Sequence, residues 1–377
     1  MVNAFTTTTG VDVVSANCLT CHAGRINGEL VIGLGNAADD LDLSQIAAQS
    51  GDALLNLVPD PVEKAELQKW LERMQALSPY IQPLTIGANP ADNIAAVLFA
   101  HRDPETLEWS DEPLMEMPPS SIVPVDVPPW WHMRKKNAML YVGAGRGDHA
   151  RIMMTASTLC VDSVEEAEKI DAYFGDIRAY ISSIEPPVYP FEINEELAAE
   201  GRVVFEKTCS DCHGTYGPDE SYPNLLVPID LIGTDPLLSD GASQFADRFV
   251  DWFNNSFYGE TAWLEPNEGY VAPPLDGIWA TPPYLHNGSV PTVELLLNSE
   301  ARPQYWTRSF DSTDYDTQGL GWNYEELEAG HESESDLQAR KKIYDSTLQG
   351  YGNGGHIFGD GLSAKERGAV IEYLKTL

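Results

Sequence analysis

Cysteine is scarce, with five residues in 377, and four of the five fall into two pentads that leave only Cys160 over. Cys160 stands in the apolar run Ser157–Val161 and reads as a buried, inert thiol. Long apolar runs are missing: no eighteen consecutive uncharged apolar residues occur, which argues against a membrane-spanning helix. The first ten residues lack the basic start and apolar stretch of a secretory leader, so either the chain stays in the cytoplasm or a leader has been removed. Positive charge is short as well. Against 58 acidic residues stand 23 basic ones, a formal charge of −35, which excludes nucleic acid and anionic membrane surfaces as partners. Such a surface serves solubility in a saline habitat or docks a basic redox partner protein. Gly143–Gly147 is glycine-rich but lacks the strand-to-helix setting of a phosphate loop. No sustained period-two alternation appears, which points to a mainly α protein with long irregular loops and short hairpins.

The two pentads carry the chemistry. Cys18-Leu-Thr-Cys21-His22 and Cys209-Ser-Asp-Cys212-His213 both have the Cys-x-x-Cys-His pattern. Two thiols at this spacing reach the two vinyl groups of one haem, and the following histidine ligates its iron from the same side. A dithiol redox pair would not require the histidine in both copies, and a zinc ribbon would leave His22 and His213 without a role. The reading is two haem c groups, attached through Cys18, Cys21, Cys209 and Cys212, with His22 and His213 as proximal iron ligands. Thioether attachment requires dedicated machinery that in bacteria acts outside the cytoplasmic membrane, so the chemistry implies a periplasmic or extracellular protein.

The chain is long enough for two domains. Glu195–Lys207 reads as a helix with Gly201 where a close helix crossing needs no side chain, and Ser363-Ala-Lys-Glu366 as a capping box opening a terminal helix. Ser163–Ile184 is a similar closing helix for the first half, stopped by Pro186 and Pro187. With Pro190, these prolines form the best linker. The expectation is two cytochrome c-like haem domains, 1–187 and 188–377. Asp60–Leu77 and Phe245–Phe257 read as further helices, and the proline-rich Pro113–Pro129 as an extended loop.

Ala280-Thr-Pro-Pro-Tyr284-Leu-His286-Asn-Gly288 resembles a segment of the bacterial diheme cytochrome c peroxidase and MauG superfamily, nearest in flavour to rubber-oxygenase-like diheme cytochromes. The C-terminal Gly354-Gly355-His356-Ile-Phe358-Gly359 resembles the region of those proteins that bears the second haem's distal histidine. Where relatives carry a Met or Tyr ligand after the Pro-Tyr-x-His segment, this chain has Glu300, so neither ligand carries over and His356 becomes the distal candidate for the second haem. The resemblance places Tyr284 and His286 near haem, implies a tryptophan coupling the centres, for which Trp130 and Trp131 stand ready beside His132, and implies a calcium ion for which no motif is present.

The first haem's far side stays open. Peroxidases have a distal histidine soon after the pentad, yet none occurs here between His22 and His101. Distal candidates are His149, Met153, Met154 and Met117, with His101, His132, Met115 and Met133 weaker; a five-coordinate iron is the alternative. Arg134, Arg146 and Arg151 are candidates for pairing with haem propionates, and Glu112, Glu116 and His132 for acid–base assistance. Two functions follow: peroxidase- or oxygenase-like redox chemistry on hydrogen peroxide or dioxygen at the first haem, or electron transfer alone. A module that merely retains haem is the third reading.

Overall fold

The computed structural model describes residues 2–40, 51, 53–244 and 246–377, so the helix expected from Phe245 begins outside them and is described from Ala246 to Asn254. The second half has the expected crossing. Helix Glu195–Thr208 starts on Asn194, whose side chain accepts from the Leu197 N–H, and helix Ala364–Leu374 starts on a reciprocal capping box between Ser363 and Glu366. They meet at Gly201, where a Cβ would fall 1.8 Å from the Ala369 carbonyl oxygen. Phe205 closes the contact against Tyr373 and Tyr216, with Val370, Ile371 and Leu374 buried behind it.

The first half is built differently. A hairpin, Val2–Thr6 with Asp12–Ala16, leads into the first pentad, and a second hairpin, Ala23–Ile26 with Glu29–Ile32, leads out of it. No helix precedes Cys18 within residues 2–17. Helix Val164–Ser183 forms on its Ser163 cap as expected, but buries only Ala167 and Ile181 and lies along the surface.

The expected mainly α protein of two cytochrome c-like haem domains is therefore corrected: about 40 % of the structure is helical and about 14 % strand, in several small sheets, and only a small cytochrome-like unit is indicated. The strands run two to five residues, too few alternations to register as a period-two pattern, and most pair only within antiparallel ribbons. Such ribbons are marginal alone and persist here by packing on shared cores. Contacts run across Pro186–Pro190: Gly145–Gly147 pairs with Ala262–Leu264. One core joins Ile26, Leu34 and Trp131 to Phe205, Trp279 and Val370, and another joins Phe99 and Met154 to Trp252 and Phe253. Among the described residues, no helix is long and apolar enough to cross a membrane.

Candidate functional site

Both pentads adopt the same local turn. The His22 N–H donates to Cys18 O at 3.0 Å and the His213 N–H to Cys209 O at 3.0 Å, while Cys21 and Cys212 each donate to the first cysteine of their pentad, at 3.3 and 3.2 Å. Residues three and four apart share one face of such a turn, so each places two thiols and an imidazole together. Asn36 holds the first turn in place, its backbone N–H on Cys21 O and its side-chain amide on Thr20 O. The four cysteines form no disulfide among the described residues. Burial pushes Cys21 and Cys209 up to about 11 and raises Cys18 and Cys212. A dithiol nucleophile needs the opposite shift, so the pentads do not suit thioredoxin-like exchange.

Hydrogen bonding and packing fix the two pentad imidazoles in place. His213 Nδ1 donates to Pro273 O at 2.8 Å, which leaves Nε2 as the free lone pair. His22 has the matching proline, with the Pro128 carbonyl beside its ring, although its Nδ1 makes no hydrogen bond of ordinary geometry; the ring stacks on Trp130 at 4.8 Å and 24°. Desolvation holds His22 down to about 4 and lowers His213, which favours the neutral ring in both.

His356 faces His213, with ring centroids 6.2 Å apart. Two imidazoles on opposite sides of one metal, at metal–nitrogen bonds of roughly 2.0–2.1 Å, put their centroids roughly 6 Å apart, so the pair fits one iron between them. His356 is half-buried, its proton affinity lowered to about 4 by desolvation, with the His213 and Arg302 charges acting the same way. Its backbone is left-handed at φ 47° and is held there. The His356 N–H donates to Ile232 O at 2.7 Å, and Gly355 lies so close to Gly233 that a Cβ would sit 2.2 Å from its carbonyl carbon. Arg302 ties down the same loop. Its guanidinium donates to Asn353 O and Gly355 O at 2.7 Å each, to His356 O at 3.3 Å, and to Leu295 O and Leu296 O at 3.0 and 3.1 Å.

A continuous cavity of about 980 Å³ reaches His22, His213, His286 and His356. That volume is at the upper end of the roughly 300–1,000 Å³ of cofactor sites. His149, Met153, Met133, His132, Trp130 and Tyr284 also line it. Met154 does not; it is fully buried in the core with Phe99 and Trp252. Met117 packs near Met74 and Leu77, Met115 against Phe99's cluster, and His101 Nδ1 donates to Ser110 O while its ring stacks on Trp109. His286 is buried, stacked on Tyr270 at 4.1 Å, and desolvation takes it down to about 3. The Tyr284 hydroxyl donates to Ile278 O or Leu320 O and is structural.

Several sequence expectations move. Arg134 pairs with Glu185, Arg146 with Glu265, and Arg151 with Asp171 and Glu260, and none of the three lines the cavity. Glu112 and Glu116 are exposed outside it, Glu116 paired with Arg248. Cys160 is exposed rather than buried, because the turn Thr155–Leu159 ends at the surface. Among the described residues no cluster of three or more His, Cys, Asp or Glu could hold a calcium or other metal ion. Where Trp131 Nε1 and His132 Nε2 both donate to Asp276 O, at 2.8 and 2.9 Å, the Lys135 ammonium binds the Asp276 carboxylate and Glu220. Arg302, Asn36, Pro128 and Pro273 escape sequence reasoning, because they act through backbone carbonyls and carry no motif.

The turn Cys209–His213, with His356 facing His213, is the arrangement expected of a c-type cytochrome. Residues 269–307, which include Tyr284, His286 and Arg302, match the RoxA-like, cytochrome c-like family model. This supports a relationship to RoxA-like, rubber-oxygenase-like cytochromes c, and implies haem c with a redox role. The chain is also similar to two proteins of Sinorhizobium fredii, each named as an uncharacterized protein. It is 29 % identical to y4iM over 290 residues, which cover 70 % of this chain and 63 % of that protein. It is 28 % identical to y4iJ over 290 residues, 59 % of this chain and 46 % of that protein. The chain thus spans about half to two thirds of the length of these relatives.

Proposed function

We propose that the chain is an exported diheme c-type cytochrome with unequal centres. Cys18, Cys21 and His22 would hold one haem c, and Cys209, Cys212 and His213 the other, with His356 supplying a second imidazole to it. The single observation that carries the inequality is the ring partner of each proximal histidine: His213 faces a second imidazole at 6.2 Å, whereas the ring stacked on His22 is an indole. A bis-imidazole site suits electron transfer, since a second imidazole stabilises ferric iron relative to a thioether. A haem held at His22 would supply peroxidase- or oxygenase-like chemistry on hydrogen peroxide or dioxygen, and one held at His213 would supply the electrons, from a basic partner protein that fits the −35 chain.

The bound haem supplies the change of oxidation state; the chain supplies the rest. Pro273 orients His213, Trp130 braces His22, and the apolar walls around Ala96, Phe99, Ile152 and Phe253 exclude water. Export to the periplasm or beyond belongs to this reading through the attachment chemistry.

A second reading, electron transfer without a substrate, is favoured by His149 and Met153 lining the cavity as ligands in waiting. Electronic and magnetic spectra of the resting protein with cyanide and peroxide decide between them. A high-spin centre that binds cyanide, assigned to the His22 site by its loss in Cys18→Ala, supports the reactive reading; two unreactive low-spin centres reject it.

A further inference from the structure

The cavity wall offers charge of both signs. Asp92, Asp126 and Asp240 line it, and Lys136 is the only lysine or arginine that does so among the described residues. In a chain with 58 acidic residues, a lone cation facing a mostly apolar space is unexpected. Lys136 lies two residues beyond the Trp130–Arg134 turn that packs Trp130 on His22, and its backbone N–H reaches back to His132 O at 3.2 Å. Its neighbour Lys135 is committed to Asp276 and Glu220, whereas the Lys136 ammonium meets no hydrogen-bond or ion-pair partner among the described residues. It sits near His132 and His149, both on the cavity wall, where its charge opposes their protonation. An unpaired cation in an apolar wall is costly unless an anion completes it, and burial already pulls the ammonium down to about 8. The arginines that could have met such an anion are paired elsewhere.

We infer that Lys136 is the binding site for a carboxylate inside the cavity, namely a propionate of the haem held by Cys18, Cys21 and His22. The inference rests on the proposed first haem. Mass analysis of the peptide bearing Cys18–His22 tests that haem separately: an unmodified peptide in the mature protein would overturn the reading and this assignment by an observation independent of Lys136.

With haem attached, removing the cation leaves the propionate charge uncompensated and favours ferric iron. Lys136→Gln should shift the first haem's redox equilibrium against a fixed mediator about tenfold, or about 59 mV for one electron, while the second haem holds. Lys136→Arg should restore most of the shift, and the propionate-bending band in the resonance Raman spectrum should move in Lys136→Gln but not in Lys136→Arg. Lys136→Met is a second uncharged variant that keeps the stem if the glutamine protein does not accumulate. An unchanged potential and band in the uncharged variants overturn the assignment. So does a saturable spectral response of the unsubstituted protein to acetate that these variants abolish, because the carboxylate would then come from solution.

Discussion

Gly201 rests on the Ala369 carbonyl so tightly that no Cβ fits between them, and this contact locks the helix leading into the second pentad to the helix that ends the chain. Backbone on both sides leaves little room to relax. Gly201→Ala is expected to cost about 2–3 kcal/mol despite the better helix propensity of alanine. Thermal unfolding of the two proteins checks this, and an equal or higher midpoint would contradict the crossing.

If the proposed haem is held at His213, replacing His356 with Ala should open its iron to exogenous ligands, since no other histidine ring stands opposite His213 among the described residues. The measurement is the loss of one low-spin signal and its recovery on adding imidazole. An unchanged low-spin spectrum would reject His356 as the ligand.

Arg302 uses all five guanidinium N–H groups on backbone carbonyls, two of them before His356 and one on His356 itself. Arg302→Met strands those carbonyls and is expected to cost about 3 kcal/mol or more. It should also leave part of the second haem without its distal imidazole. Arg302→Lys, with a single ammonium, should recover only part of both effects. Full low-spin occupancy in the methionine variant would mean the loop holds His356 unaided.

His286 is neutral in the fold, lowered to about 3 by burial, while an unfolded imidazole titrates near 6.5. The unfolded chain therefore binds the extra proton first. This contribution is complete above about pH 7 and is lost as pH falls from about 6.5 toward 3, by at most about 1.4 kcal/mol per pH unit. Asp92, raised to about 6, works in the opposite sense, so the comparison must be between proteins. Between pH 7 and pH 5 the unsubstituted protein should lose about 2 kcal/mol more than His286→Phe, read from denaturant midpoints at both values. Parallel losses would show that His286 is not the group that titrates.

What could be read from the residues alone was local chemistry. The pentads, the capping pair Ser363 and Glu366, and the bare backbone at Gly201 each declare themselves within a few positions. Tertiary roles did not. Pro128 and Pro273 act as carbonyl acceptors, a role any residue could fill, and Arg302 binds no side chain. Lys136 and Lys135 are adjacent, yet one meets two carboxylates and the other the cavity, a difference set by which way a short turn rotates. The helix pattern of Val164–Ser183 matches the structure, but its striped residues are mostly half-buried, with Tyr173 and Tyr180 exposed, so periodicity overstated its share of the core.

Lys135 joins the segment that carries Trp130 to the loop that carries the acceptor of His213, through an ammonium that belongs to the chain. A joint made this way is inherited with every copy of the polypeptide. It neither washes out on dilution nor yields to a chelator, and its strength is indifferent to the supply of divalent ions in the surroundings.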